Sequence, residues 1–330
     1  MSKDLNSGDP HALAMVGGQA VIEGVMMRAQ GRIATAVRRA DGTIVVRREK
    51  FTPIGKRYPV LAAPILRGAV GIIEMLMIGI RTLNFSAEIA VADQAVADGV
   101  VAPEQKQSKV MLGVTVGVAL LLGVALFFVT PLILTSLAFS VDQDPLLFNA
   151  LAGLIRLLLF LGYLLAISRM KDVQRLFAYH GAEHKTVFAY ESGSPLSVDV
   201  AACQSRFHPR CGTSFLLVVM LSSIILFAIV DGLLILQLGT ITLPVRLITH
   251  IPLIPLVGGL SYEFIRLSAR LAADGAGRWV VAPGLLLQRI TTAEPDASQL
   301  EVAIAALQAA LEPGAEGTIE TVGGSITGVA

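Results

Sequence analysis

Between residues 110 and 265 the chain runs through four long apolar blocks separated by shorter polar stretches, at about 110–139, 146–167, 214–236 and 243–265. A helix crosses a bilayer with about 20 apolar residues, so each block is long enough to span and too long for a core strand. Pro131 is predicted to kink or end the straight part of the first block, and Arg156 sits inside the second. Pro252, Pro255, Gly258 and Gly259 interrupt the fourth. Ahead of these blocks the pattern changes. Residues 1–14 read as a disordered leader, and GGQAVIEGVMMR is an apolar patch holding one acid, Glu23. The stretch RIATAVRRADGTIVVRREKF reads as two strands joined at Asp41-Gly42, a dipeptide suited to a type I′ hairpin turn.

Residues 61–91 are apolar and helical in pattern, and Arg67, Glu74, Arg81 and Glu88 follow one another at seven-residue steps. Seven residues are nearly two turns, so these charges form one narrow stripe of alternating sign. A membrane-spanning helix here would place Glu74 near the bilayer centre. It would also carry the nine Lys and Arg of residues 28–57 across the membrane from the other basic loops. An interfacial or re-entrant helix is therefore predicted. A polar linker follows at 92–109. Beyond the fourth block, 267–312 holds a short helix that Asp296 or Ser298 can cap, and the Gly-rich 313–330 is predicted to be disordered. The fold class read from this pattern is mainly α: a polytopic membrane protein with about four transmembrane helices, an interfacial amphipathic helix and a small N-terminal β-hairpin.

Composition agrees. The 330 residues are 54% hydrophobic and 15% charged, where a soluble domain carries about a quarter charged. No basic stripe suits nucleic acid, and MSKDLNSGDPHALAMVGG lacks an apolar core long enough for a signal peptide. Cys203 and Cys211 do not make a disulfide framework. The first inter-helix loop, SVDQDPLL, has two aspartates and no Lys or Arg. The second, 168–213, holds Arg169, Lys171, Arg175, Lys185, Arg206 and Arg210, and Arg266, Arg270, Arg278 and Arg289 follow the fourth block. By the positive-inside rule both termini and the second loop face the cytoplasm of a bacterial inner membrane.

That second loop carries YHGAEHKTVFAYE, which places His180, Glu183 and His184 in the pattern H-x-x-E-H. On a helix, residues four apart share a face, so both imidazoles can bind one ion, and Glu183 lies on the same side. In a hydrolytic zinc site such a carboxylate takes a proton from the attacking water. A third ligand is required. His208 and Cys211, three residues apart in FHPRCGTSF, rank first and second, followed by Glu263 and then Glu23. Arg210 is a candidate for steadying an anionic transition state. The plainer alternatives remain open here: the histidines hydrogen-bond headgroups or loop carbonyls, Glu183 pairs with Lys185 or Arg210, and Cys211 is a buried thiol beside a helix start. His11 and His250 are not expected to be ligands.

Five ordered stretches, GGQAVIEGVMMR, YHGAEHKTVFAYE, FHPRCGTSFLL, YEFIRLSAR and TTAEPDASQLEVAIAAL, resemble the YqhQ-like bacterial membrane proteins, the family called domain of unknown function 1385. The resemblance runs from about Gly17 to Leu311. It implies a multi-pass membrane protein described as a predicted metal-dependent enzyme, and it suggests that the patch around Glu23 and the loop around His180 form one unit. The expected function is hydrolysis of a membrane-peptide or lipid-linked substrate by a divalent metal, zinc, at the cytoplasmic membrane surface. The alternative is a non-enzymatic assembly or biogenesis factor, or a transporter, with a structural His/Cys cluster.

Overall fold

The computed structural model describes residues 16–99, 109–141, 144–209, 211–272, 278–312, 314, 317 and 319–322. The predicted leader, Arg210 and most of the Gly-rich tail lie outside these residues. An antiparallel sheet is built from β1 (Gly17–Val21), β2 (Gly24–Ala29), β3 (Arg32–Arg38), β4 (Ile44–Lys50) and β5 (Ile319–Val322), paired in that order. The helices are α1 (Ile54–Arg57), α2 (Leu66–Ala97), α3 (Lys109–Val124), α4 (Thr130–Ala138), α5 (Pro145–Ile167), α6 (Lys171–Glu191) and α7 (Val198–Ala202). After them come α8 (Gly212–Leu238), α9 (Leu243–His250), α10 (Ile254–Ala272), α11 (Arg278–Thr291) and α12 (Ala297–Leu311).

The single hairpin expected from the sequence is one part of this larger sheet. GGQAVIEGVMMR forms β1 and β2, with Ile22 and Glu23 as the turn. These strands escape a pattern reading because both faces of the sheet are covered. Four consecutive residues of β2, Gly24 to Met27, are buried, so the alternation of a half-exposed strand is missing. On one face Val25, Met27, Ala36 and Val46 meet Tyr179 and Ala182 of α6 and Leu300, Ala303, Ile304 and Leu307 of α12. On the other, Val21, Val37 and Val45 meet Phe85 of α2, and Met26 and Ile33 meet Ile78.

The expected type I′ turn is also relocated. Gln30 and Gly31 between β2 and β3 both have positive φ, 50° and 77°, as that turn requires. Around Asp41 only Gly42 is left-handed (φ 88°). The Gly42 N–H donates to Arg39 O, and Asp41 Oδ1 accepts from Thr43 N and Oγ1. The tail differs from its expected disorder at Ile319–Val322, which pairs with β4. In α12, Asp296 rather than Ser298 is the cap: it accepts from Gln299 N at 2.9 Å, and Gln299 answers through its side chain in a capping box.

Among the described residues, four helical segments, Gly113–Ala138, Pro145–Ile167, Phe215–Leu238 and Leu243–Leu267, are long and apolar enough to cross a membrane. The first does not end at Pro131. A π-helical turn, Ala125–Val129, precedes that proline, and the helix runs on to Ala138. The fourth passes through a 3₁₀ turn at Ile251–Leu253. Helix α2 has 32 residues, about 48 Å at 1.5 Å per residue. It continues into the expected linker, packs on the sheet, and meets α10 through an ion pair of Arg67 with Glu263 at 2.5 Å. The N-terminal strands, α6, α12 and β5 pack together as one domain.

Candidate metal centre

Helix α6 carries the H-x-x-E-H stretch, and its position in the core explains the local sequence. Residues 292–296 cross over α6, with Ala293 N donating to Phe177 O at 2.8 Å. A Cβ at Gly181 would stand 2.1 Å from Ala293 O, so only glycine allows this crossing. A Cβ at Gly18 of β1 would stand 2.9 Å from Cγ of Glu183.

His180 Nδ1 lies 2.8 Å from Thr291 O, and His184 Nδ1 lies 2.6 Å from Arg206 O. A carbonyl only accepts, so each Nδ1 carries the proton and each Nε2 presents a lone pair. Histidines that bind metals are oriented by such outer hydrogen bonds. The Cys211 Sγ lies 3.3 Å from His180 Nε2, and ligand atoms of His180, His184 and Cys211 all lie within 4.8 Å of one another. For zinc, with nitrogens at about 2.0–2.1 Å and sulfur at about 2.3 Å, a tetrahedral N···S edge is about 3.6 Å. The donor set and its spacing fit a zinc ion.

Glu183 is buried beside this cluster, with Oε2 3.4 Å from His184 Nε2. Burial pushes its carboxyl above the ordinary carboxylate range, and His180, His208 and the Gly18 N–H oppose that shift. Burial likewise lowers His184, against the pull of Cys211. His184 is therefore neutral, as a metal ligand must be.

The other sequence candidates are placed differently. His208 is buried, with its ring centroid 5.6 Å from that of His184, and its Nε2 lies 3.4 Å from Glu191. Gln288 holds its backbone at both ends, accepting from His208 N and donating to His208 O, each at 2.8 Å. Glu23, at φ 52° in the β1–β2 turn, reaches Arg175 at 2.5 Å and Tyr179 at 3.3 Å on α6. The Glu23 patch and the His180 helix thus pack together, although Glu23 is engaged one turn away. Glu263 is in its pair with Arg67. Lys185 pairs with Glu294 rather than with Glu183.

A second buried polar group lies in the bundle. Asp231 of α8 accepts from Arg246 at 2.5 Å and from Asn149 at 2.7 Å, and His250 Nε2 lies 3.2 Å from it. Sequence reasoning missed Asp231 and Asn149. The available signal was Asp231 itself, an acid within an apolar span.

A profile described as "Protein of unknown function (DUF1385)" matches residues 63–313. The chain is 36% identical over 300 residues to "Uncharacterized protein YqhQ" of Bacillus subtilis (strain 168), covering 87% of this chain and 89% of that relative. No solved structure matches. By the extent of the profile match and the identity to this relative, the chain belongs to the DUF1385 family.

Proposed function

We propose that this protein is an integral membrane hydrolase of the bacterial inner membrane, with a zinc ion held by His180, His184 and Cys211 at the cytoplasmic surface. The reading is carried by one observation: both imidazoles have Nδ1 fixed by a backbone carbonyl and turn Nε2 toward a cysteine sulfur. Three protein ligands leave a position for water, the mark of a catalytic rather than a closed structural site. Bound there, zinc supplies Lewis acidity and lowers the pKa of a water to about 7.

Glu183 is the general base. It takes a proton from the attacking water and returns one to the departing amine or alcohol as the C–N or C–O bond breaks. Its burial favours the protonated form needed for that second step. The substrates that suit this location are amides or esters of membrane peptides or lipid-linked molecules. The four spans, together with the positive-inside charge pattern, support cytoplasmic termini.

A structural site is the competing reading. It is favoured by His208, which lies close enough that a ring movement would make it a fourth ligand. Elemental mass spectrometry of protein purified without chelator tests both. The expected result is about one zinc per wild-type chain and none in the His180→Ala/His184→Ala variant. Wild type free of metal overturns the proposal. Glu183→Gln is expected to keep zinc and fold while failing to complement a strain that lacks the protein. Full complementation turns the reading to a structural site.

A further inference from the structure

Arg156 lies at the middle of α5, 92% buried with 8% of its surface exposed. Part of its role follows from the chain. Pro131 has no N–H and crowds the carbonyl four residues earlier, that of Phe127. Arg156 Nε donates to this carbonyl at 2.9 Å, and Nη1 donates to Ser223 Oγ at 2.9 Å. In an apolar bundle a freed carbonyl needs such a donor.

A neutral amide would serve that purpose, and it would not bring a charge. Among the described residues no carboxylate pairs with Arg156. The acid of the bundle interior, Asp231, is engaged by Arg246. Apart from the ring face of Phe128, 5.3 Å from Cζ, this positive charge has no partner of opposite sign where an unpaired charge is most costly. Beside it lies a cleft of about 330 Å³, walled by Arg156 and Ser223 and otherwise by apolar side chains, among them Leu120, Val124, Met220 and Val257, with Gly123 in its floor. The π-helical turn that presents Phe127 O borders the same cleft, and such turns are frequent at functional sites.

We propose that this cleft binds a single-chain amphiphile with one negative charge, its anionic headgroup on the Arg156 guanidinium and its alkyl chain along the apolar walls. Charge complementarity selects the headgroup. The volume, at the small end of ligand pockets, selects one chain rather than the two of a phospholipid. The site is separate from the His180 cluster and does not rest on it.

The test is equilibrium binding of radiolabelled palmitate to full-length protein in phosphatidylcholine nanodiscs, with dodecyl phosphate, dodecanol and phosphatidylglycerol as competitors. Saturable binding of one palmitate per chain is expected. Dodecyl phosphate should compete, whereas dodecanol and phosphatidylglycerol should not. Saturable binding of radiolabelled dodecyl phosphate, run in parallel, with none of palmitate assigns the headgroup to phosphate and still supports an anionic site. Arg156→Gln should weaken binding at least ten-fold while keeping the amide donor for Phe127 O. Should that variant not fold, Gly123→Phe decides. Gly123 lines the cleft and nothing lies within 4 Å of a Cβ there, so a phenyl ring has room at this position, should obstruct the cleft, and binding should fall by a similar factor. Unaltered binding in Gly123→Phe, equal competition by dodecanol, or competition by phosphatidylglycerol alone overturns the proposal. So does the absence of saturable binding of either anion.

Discussion

Two buried polar clusters among the described residues are opposites. In the bundle, Asp231, Arg246 and Asn149 satisfy one another: acid faces base, and the amide donates to one and accepts from the other. At the sheet-and-helix domain, His180, His184 and Cys211 bring two imidazole Nε2 atoms and a sulfur together, with both Nδ1 donors already spent on carbonyls outside the cluster. A network that closes on itself serves structure, whereas one whose acceptors converge asks for a cation. Burial alone does not separate them, since Asp231 and His184 are almost equally hidden.

Breaking the closed network should give the largest effect. Asp231→Ala leaves Arg246 buried without its acid, a change that typically costs about 3–5 kcal/mol. The expected outcome is a large fall in folded yield and in unfolding temperature in detergent. Replacing both partners, as Asp231→Leu with Arg246→Met, removes the charge with its partner and should recover most of that loss. A double variant as unstable as Asp231→Ala would mean that the cluster does more than hold the helices.

The open cluster should respond to its ligand instead. On the proposed zinc site, chelation of the purified protein is expected to lower the unfolding temperature of wild type and to leave the His180→Ala/His184→Ala variant unchanged, because only wild type would have metal to lose. Scanning calorimetry with and without chelator reads the difference. Gln288→Ala should sit between the two clusters in effect. It removes both hydrogen bonds that fix the His208 backbone, at about 1 kcal/mol or somewhat more each. It should also lower zinc occupancy, because Cys211 follows His208 by three residues.

The two regions were unequally legible in the sequence. The four long apolar helices show themselves by length and hydropathy alone. The pairing of His180 with His184 is legible because helical spacing is local. The sequence names both His208 and Cys211 and ranks His208 first; that Cys211 Sγ stands beside His180 depends on how Gln288 and the α11 end hold that loop. Glu263 illustrates the limit: its ion pair with Arg67 spans 196 residues and exists only once α2 lies against α10. Strands β1 and β2 stayed hidden because being covered on both faces erases the alternation that would announce them. Arg156 was visible from the start, yet its carbonyl partner emerges only when Pro131 is placed beside it.

The smallest predicted effect sharpens the contrast by being confined to one region. Asp296 caps α12, and Asp296→Ala should cost about 1 kcal/mol. Helix α12 packs on the sheet and on α6 but not on the four spans. Hydrogen exchange should therefore rise in α12 and the strands beneath it, while the amides of α5 and α8 keep their protection. If the loss spread into α5 and α8 equally, the two regions would unfold as one unit, and the sheet-and-helix domain would have no stability of its own. If it stays local, α6 belongs to the less stable partner. His180 and His184 then sit on a helix that opens independently of the helical bundle, which gives a buried site a route to water.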